Sequence, residues 1–363
     1  MKRLPSVTPA PEGSFLDSSL YLSADLFEKE MSEVLPRSWV FVSDRSVLSA
    51  TGDFVTEMIG NVPVVVVVDR DGQLRAHVNV CTHRASTLLD GIGNCERSIT
   101  CPYHGWIFGL DGALLGVPSQ ADFSAPIDRS TLALKEVRVD CWEQFVFVNV
   151  SGDAPPLLDW LSPIPERMSG HQLGDLTRTH ELDDMVDVNW KIMIDNAYCD
   201  YHLGVVHGLS IGAFVDQGSI REELGDTTGV VTTRWKPEQL ASFVPPIALH
   251  GDAALGTVAA SVYPNFFIAA FPSGGASVMW WTPTDQWHTR ARVLNYARNP
   301  EGDPRAQLQQ LRMVQDEDIE ICRRVQSGIR SGRYRPGPSH RLETRIRGFQ
   351  RWLVSMLNHD PTN

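Results

Sequence analysis

The sequence predicts an α+β protein of two domains, or of one large domain with an inserted one: a β-rich part, then one that mixes strands with helices. Three observations carry that expectation. Short apolar runs with Asp-Gly turns fill residues 38–150, a proline-rich stretch interrupts the chain at 154–165, and helical periodicity frames the strands beyond it. At 363 residues the chain is too long for one simple core. A composition of 42% apolar and 21% charged residues is ordinary for a globular protein.

The elements follow in chain order. Residues 15–37 predict a helical arm, with Leu26, Phe27, Met31 and Leu35 at helical spacing around an acidic middle. Val62 to Asp69 reads as a buried strand, Asp71-Gly72 as a hairpin turn, and Leu74 to Val80 as the returning strand that runs into Cys81. A second turn signal, Asp111-Gly112, lies further on, and Val137 to Val150 closes the domain. The stretch from Ala154 to Pro165 marks the boundary. Beyond it we expect a helix near 189–207, strands through 228–235 and 257–296, and helices near 303–328 and 341–357. The expected domains are therefore 1–37, 38–153 and 154–363, with no internal repeat or low-complexity tract.

Two motifs carry chemistry in the first domain: Cys81-Thr-His83 and Cys101-Pro-Tyr-His104, with 17 residues between them. Two thiolates and two imidazoles suit a [2Fe-2S] cluster, one iron taking Cys81 and Cys101 and the other His83 and His104. Neutral imidazoles in place of thiolates raise the reduction potential and make a one-electron carrier. A zinc site has the same donor types, but zinc fingers pair Cys with Cys and His with His at short spacing. Ordinary buried residues would leave Arg84 and the following Gly105-Trp106 without a reason.

This pattern resembles the Rieske proteins. Respiratory Rieske subunits carry two further cysteines where this chain has Ser86 and Tyr103, so the resemblance is to the Rieske domain of ring-hydroxylating oxygenases. That family has a second metal motif, matched here from Asn189 to His207, where His202 and His207 frame four residues. Two histidines and a carboxylate on one face of iron(II) leave positions open for dioxygen. Five residues turn a helix by about 500°, so the pair alone is a weak signal. Its strength comes from Asn189-Trp190-Lys191, Asp195-Asn196 and Tyr201. The late acidic run from Gln315 to Gln326 resembles the family's third-ligand motif and selects Asp318, with Asp316 and Glu320 within a turn as fallbacks. Such a run is ordinarily a solvated helix face.

The resemblance implies a Rieske β-sandwich-type domain ahead of a helix-grip catalytic domain, an antiparallel sheet with helices. It makes Asp200 the electron bridge, with Asn196 and Tyr201 as further catalytic residues. In the family an acidic residue before the first iron histidine bonds that histidine and reaches a Rieske histidine of the neighbouring subunit; such partners fix a ligand's orientation. The usual position, three before the histidine, holds Cys199, while Asp200 lies two before His202. Either a local distortion such as a π-bulge brings Asp200 round, or the bridge is built differently. Electrons would pass from His104 or His83 through Asp200 to His202, which implies a head-to-tail homotrimer.

The implied function is the oxygenase component of a multicomponent system that hydroxylates or oxidatively demethylates a small organic substrate with O2. Gly91-Ile-Gly93 lacks the setting of a dinucleotide fingerprint and no second cysteine set is present, so electrons must come from a separate NAD(P)H-dependent reductase, with or without a ferredoxin. Tyr263-Pro-Asn-Phe-Phe267 and Arg324-Arg-Val-Gln-Ser-Gly328 resemble the choline and carnitine monooxygenase branch; aromatic cis-dihydroxylation is the alternative. Trp235, Phe243, Tyr263, Phe266, Phe267, Phe271, Trp280, Trp281 and Trp287 could line a ring pocket, cage an ammonium group, or be sheet core. A Rieske electron carrier without turnover and a metal-dependent scaffold are readings of other classes. Mono- against dioxygenation and a separate β subunit stay open.

A net charge of -12 argues against nucleic acid. Neither the first residues nor the longest apolar run, Val62 to Val68, predicts a signal peptide or membrane span. Cys95, Cys141, Cys199 and Cys322 are expected as free thiols, which with the metal centres suits the cytoplasm.

Overall fold

The computed structural model describes residues 7–242, 247–298 and 304–359. The chain divides into two units, Met31–Leu157 and Met1–Glu30 with Leu158–Asn363.

In the first unit, strands β1 (Val40–Asp44), β2 (Asp53–Ile59), β3 (Val62–Val68), β4 (Leu74–Val78), β5 (Ile92–Asn94), β6 (Ser98–Thr100), β7 (Ile107–Gly109), β8 (Leu114–Gly116), β9 (Glu136–Trp142) and β10 (Phe145–Asn149) form two sheets. The larger has the order β1-β10-β9-β4-β3-β2-β5, and the smaller is β6-β7-β8. Val64 to Val68 and all of β10 are buried, as expected for unbroken apolar strands. Both Asp-Gly turns form. Gly72 and Gly112 sit at φ +75 and +83, where a side chain would be strained, and a Cβ on Gly112 would also come within 2.8 Å of the His77 ring. Phe54, Val65, Ile99, Trp106 and Phe108 bury the sulfurs of Cys81 and Cys101 in one apolar cluster.

The second unit is built on β11 (Thr177–Val186), β12 (Arg221–Leu224), β13 (Thr228–Arg234), β14 (Gly256–Val262), β15 (Phe266–Ala270), β16 (Gly275–Pro283) and β17 (Thr289–Ala297), with helices α1 (Trp190–Ala197), α2 (Pro304–Arg330) and α3 (Thr344–Asn358). One antiparallel sheet runs β11-β17-β16-β15-β14-β13-β12. Helix α1 packs on α2 and β16, α2 also on β11, and α3 on β12 and β13. Phe349 on α3 holds this packing, its ring 5.9 Å from Trp190 and Tyr198 and 5.6 Å from Tyr263.

Short helices at Ser19–Leu22 and Ala24–Lys29 precede a π-helical stretch at Glu30–Val34. The acidic middle of this arm is not all solvated. Glu30 is fully buried and ion-paired with buried Lys191 at 2.7 Å. One expectation is corrected: the helix expected over 189–207 stops at Ala197. Cys199 lies outside any helix or strand, Asp200 donates its N–H to Leu342 O, and residues 201–210 run as turns. Of the two options left open for Asp200, a local π-bulge is not formed, since residues 198–202 lie outside any helix.

Candidate metal centres

The two cysteine-histidine loops share one backbone design. In each, the cysteine N–H is tied across the loop, Cys81 to Ser86 O at 2.8 Å and Cys101 to Trp106 O at 2.7 Å. The fourth residue on, Ala85 or Gly105, takes a positive φ and returns its N–H to the cysteine carbonyl. This fold exposes the backbone N–H groups of the loop to the sulfur. Burial raises the Cys101 thiol, but hydrogen bonds from the N–H groups of Tyr103 and His104 outweigh it and leave it below the ordinary value. Burial pushes the Cys81 thiol up.

The histidines stand two residues after one cysteine and three after the other, yet their rings meet, with centroids 4.8 Å apart. Trp106 stacks flat on His83 at 4.7 Å, which explains the Gly-Trp that ends the motif. His83 Nδ1 is buried without a hydrogen-bond partner. Two sulfurs that accept backbone N–H bonds and a buried imidazole nitrogen with nothing to bind fit a group with open coordination, and the loops fit a [2Fe-2S] cluster.

In the second unit, Asn189 caps α1 by accepting from Lys191 N–H, and its own N–H donates to Gln326 Oε1 at 2.7 Å, fixing α1 against α2. One ligand-type atom each from His202, His207 and Asp318 lies within 4.8 Å of the others. His207 Nε2 is 3.0 Å and His202 Nε2 3.5 Å from Asp318 Oδ1, and Asn196 Nδ2 donates to the same oxygen at 2.7 Å. Burial alone would raise the Asp318 carboxyl; the two histidines overcome it and hold the group far below the usual carboxylate range. Among the described residues this group of three could hold a single metal ion. The alternatives face elsewhere: Asp316 pairs with Arg312 at 3.7 Å and Glu320 with Arg324 at 2.9 Å, both well exposed.

Turns rather than a helix bring both histidines to Asp318. His202 O accepts from Val205 and Val206, and His207 O from Ser210 and Gly212. A Cβ on Gly212 would fall 2.1 Å from Leu203 O, so this closure needs glycine.

Asp200 is buried, but its carboxylate is held by Arg345 Nη2 at 2.7 Å, and no hydrogen bond joins it to His202, whose buried Nδ1 has no partner. Arg345 also reaches Ser261 Oγ at 2.9 Å and Glu222 at 3.4 Å. Burial lifts the Cys199 thiol to about 12. Tyr201 is exposed and stacked on His340 at 4.1 Å.

Of the aromatic residues, Tyr263, Phe266, Trp280 and Trp281 are buried core, while Trp287 is met by Arg330 4.7 Å from its centroid. Phe243 lies outside the described residues. Phe267 and Phe271 are half-buried and pack with Leu203, the neighbour of His202, on Val231, Ala259 and Ala269. Trp235 adds a ring 6.3 Å from Phe271. A groove of about 500 Å³ beside Trp235 and Lys236 contains none of the three metal-facing side chains.

Both donor sets suit iron, and a chain that carries them in this order falls in the class of Rieske-type non-haem iron oxygenases. Residues 173–359 match the ring hydroxylating alpha subunit (catalytic domain) and residues 38–140 the Rieske [2Fe-2S] domain. The chain belongs to the ring-hydroxylating alpha-subunit family. The carnitine monooxygenase oxygenase subunit of Acinetobacter pittii is 28% identical over 87% of this chain and 85% of its own. Chloroplastic choline monooxygenase of Amaranthus tricolor is 27% identical over 96% of this chain and 79% of its own. The large oxygenase component of the naphthalene 1,2-dioxygenase system of Pseudomonas putida is 30% identical, over 66% of this chain and 60% of its own. In fold, the crystal structure of the quaternary ammonium Rieske monooxygenase CntA matches with a TM-score of 0.84 at 24% identity, covering 97% of this chain and 99% of that one.

The chain is thus the oxygenase component of a system that uses a Rieske [2Fe-2S] cluster, a mononuclear iron, dioxygen and a reductase to act on a small substrate. Among the described residues no helix is long and apolar enough to cross a membrane.

Proposed function

We propose that His202, His207 and Asp318 hold the mononuclear iron, that Cys81, His83, Cys101 and His104 hold the cluster, and that the substrate is a small methylated ammonium compound. The observation that carries the iron assignment is the convergence of three side chains from two separate elements to within 4.8 Å. When bound, the cluster relays electrons singly and the mononuclear iron activates dioxygen. Asn196 holds the carboxylate of Asp318 in place through its 2.7 Å bond.

Two observations support the ammonium reading. The carnitine and choline monooxygenases align over 87% and 96% of this chain, whereas the naphthalene dioxygenase component aligns over 66%. Half-buried Phe267 and Phe271 pack with the residue after His202, and such rings attract cations, the Arg345 guanidinium lying 5.7 Å from the Phe267 centroid. The higher identity of the naphthalene relative, 30%, favours ring dihydroxylation as the second reading.

The expected domains, 1–37, 38–153 and 154–363, and a cytoplasmic homotrimer fed by a reductase, with or without a ferredoxin, complete the proposal. Asp200 is assigned as the bridge to a neighbouring subunit's Rieske histidine. His202 Nδ1, buried and unpartnered, is the atom such a contact would serve. Tyr201, exposed on the same loop, would contribute to that contact.

A single-turnover assay tests the substrate class. Chemically reduced, iron-replete protein is mixed with dioxygen and a panel of N- or O-methylated and aromatic compounds, and products are read by mass spectrometry. Demethylated product with formaldehyde supports the proposal; a diol or phenol from a ring compound replaces it with the second reading.

A further inference from the structure

The two histidines that face Asp318 are not held alike. His202 Nδ1 has no partner, whereas His207 Nδ1 lies 2.7 Å from Glu317 Oε2. His207 is almost fully buried, so water has little access to its side of that bond, while Glu317 is about a quarter exposed at 26%. The same Glu317 oxygen accepts from Ser210 Oγ at 2.7 Å, and Ser210 N–H returns to His207 O at 3.0 Å. Glu317 is therefore bound from two sides of the turn that carries His207.

We propose that Glu317 is a positioning residue for the iron site, fixing the tautomer and ring plane of His207. The inference rests on the iron assignment above. A neutral imidazole carries one N–H. With the proton on Nδ1 it donates to Glu317, and the Nε2 lone pair points to the side where Asp318 stands 3.0 Å away. With a cation held between Nε2 and Asp318, only this tautomer is satisfied at both nitrogens, since the opposite one would set an Nδ1 lone pair against a carboxylate oxygen at 2.7 Å. A carboxylate behind a metal-binding histidine also makes the ring a better donor.

The geometry uses two adjacent residues for two jobs. Side chains one residue apart on α2 diverge by about 100°. The turn at 207–210 lets one imidazole span that divergence, with Nε2 toward Asp318 and Nδ1 toward Glu317. His202 has no such support among the described residues, so its orientation is left to Asp318 and to whatever meets Nδ1.

The test compares Glu317→Ala, Glu317→Gln and Ser210→Ala in the full-length holoprotein. Loss of mononuclear iron to a chelator is followed while Rieske absorbance reports an intact first unit, and the nitric oxide adduct of the ferrous site is examined by electron paramagnetic resonance. Glu317→Ala should release iron about 10- to 100-fold faster and change the rhombicity of the nitrosyl signal. Glu317→Gln, whose amide oxygen still accepts from Nδ1–H, should recover most of the native spectrum, and Ser210→Ala should show a smaller loss than Glu317→Ala. Native release and spectrum in Glu317→Ala overturn the proposal. So does a Glu317→Gln variant as impaired as Glu317→Ala, which would mean that charge rather than orientation matters. If the unaltered protein holds no mononuclear iron, the iron assignment fails instead.

Discussion

Replacing Asp195 by Asn should change how stability depends on pH. Asp195 is half-buried on α1, where the Tyr21 hydroxyl donates to it and Gln350 Nε2 approaches at 3.5 Å. Burial raises its carboxyl from 3.8; the Tyr21 and Gln350 bonds and Lys191 offset part of that, and the group settles at about 7. A carboxyl with a folded value above its unfolded value binds more protons when folded, so it makes stability fall as pH rises from the unfolded value through the folded one. Between pH 5 and 8 that loss is roughly 2.5 kcal/mol, at about 1.4 kcal/mol per unit. Asparagine keeps an oxygen for Tyr21 and has no charge to bury, so Asp195→Asn should lose about 2.5 kcal/mol less than the unaltered chain over that range. Urea unfolding followed by tryptophan fluorescence at pH 5, 6.5 and 8 measures the difference. Parallel stability profiles for the two proteins would refute the reasoning.

Other outcomes follow from buried charge and from the bridge assignment. Lys191→Met strands Glu30, fully buried with only Trp190 Nε1 at 3.0 Å left to serve it among the described residues, and should cost about 3–5 kcal/mol by denaturant unfolding. Adding Glu30→Gln should recover much of that cost, because no unpaired charge remains. Asp200→Asn should leave both metals bound, since Arg345 retains Glu222 at 3.4 Å, while nearly abolishing turnover in steady-state assays with a reductase. Normal coupled turnover in that variant would remove Asp200 from electron transfer.

The cluster motif was legible because its donors are local: each loop fixes its cysteine and histidine within a few residues. His202 and His207 were visible for the same reason, but not the shape between them. A five-residue step cannot point two side chains the same way on a helix, and the chain resolves this by leaving the helix at Ala197 for turns closed at Gly212. Asp318 stands among four acidic residues within five positions, and composition alone does not say which faces inward. Glu317 was missed on that account: its role depends on Ser210 and His207, more than a hundred residues earlier. Edge strands β11 and β12 escaped notice because they are polar and largely uncovered. Arg345 and Glu222 gave no local signal of their burial against Asp200.

Iron analysis joined to single turnover, on the unaltered protein and on Asp318→Ala, tests the central claim most directly. The unaltered chain should hold about three irons, two in the cluster and one at the histidines, and form product in one turnover. Asp318→Ala should keep the Rieske spectrum with about two irons and form none. A variant that retains the third iron and still makes product would contradict the account.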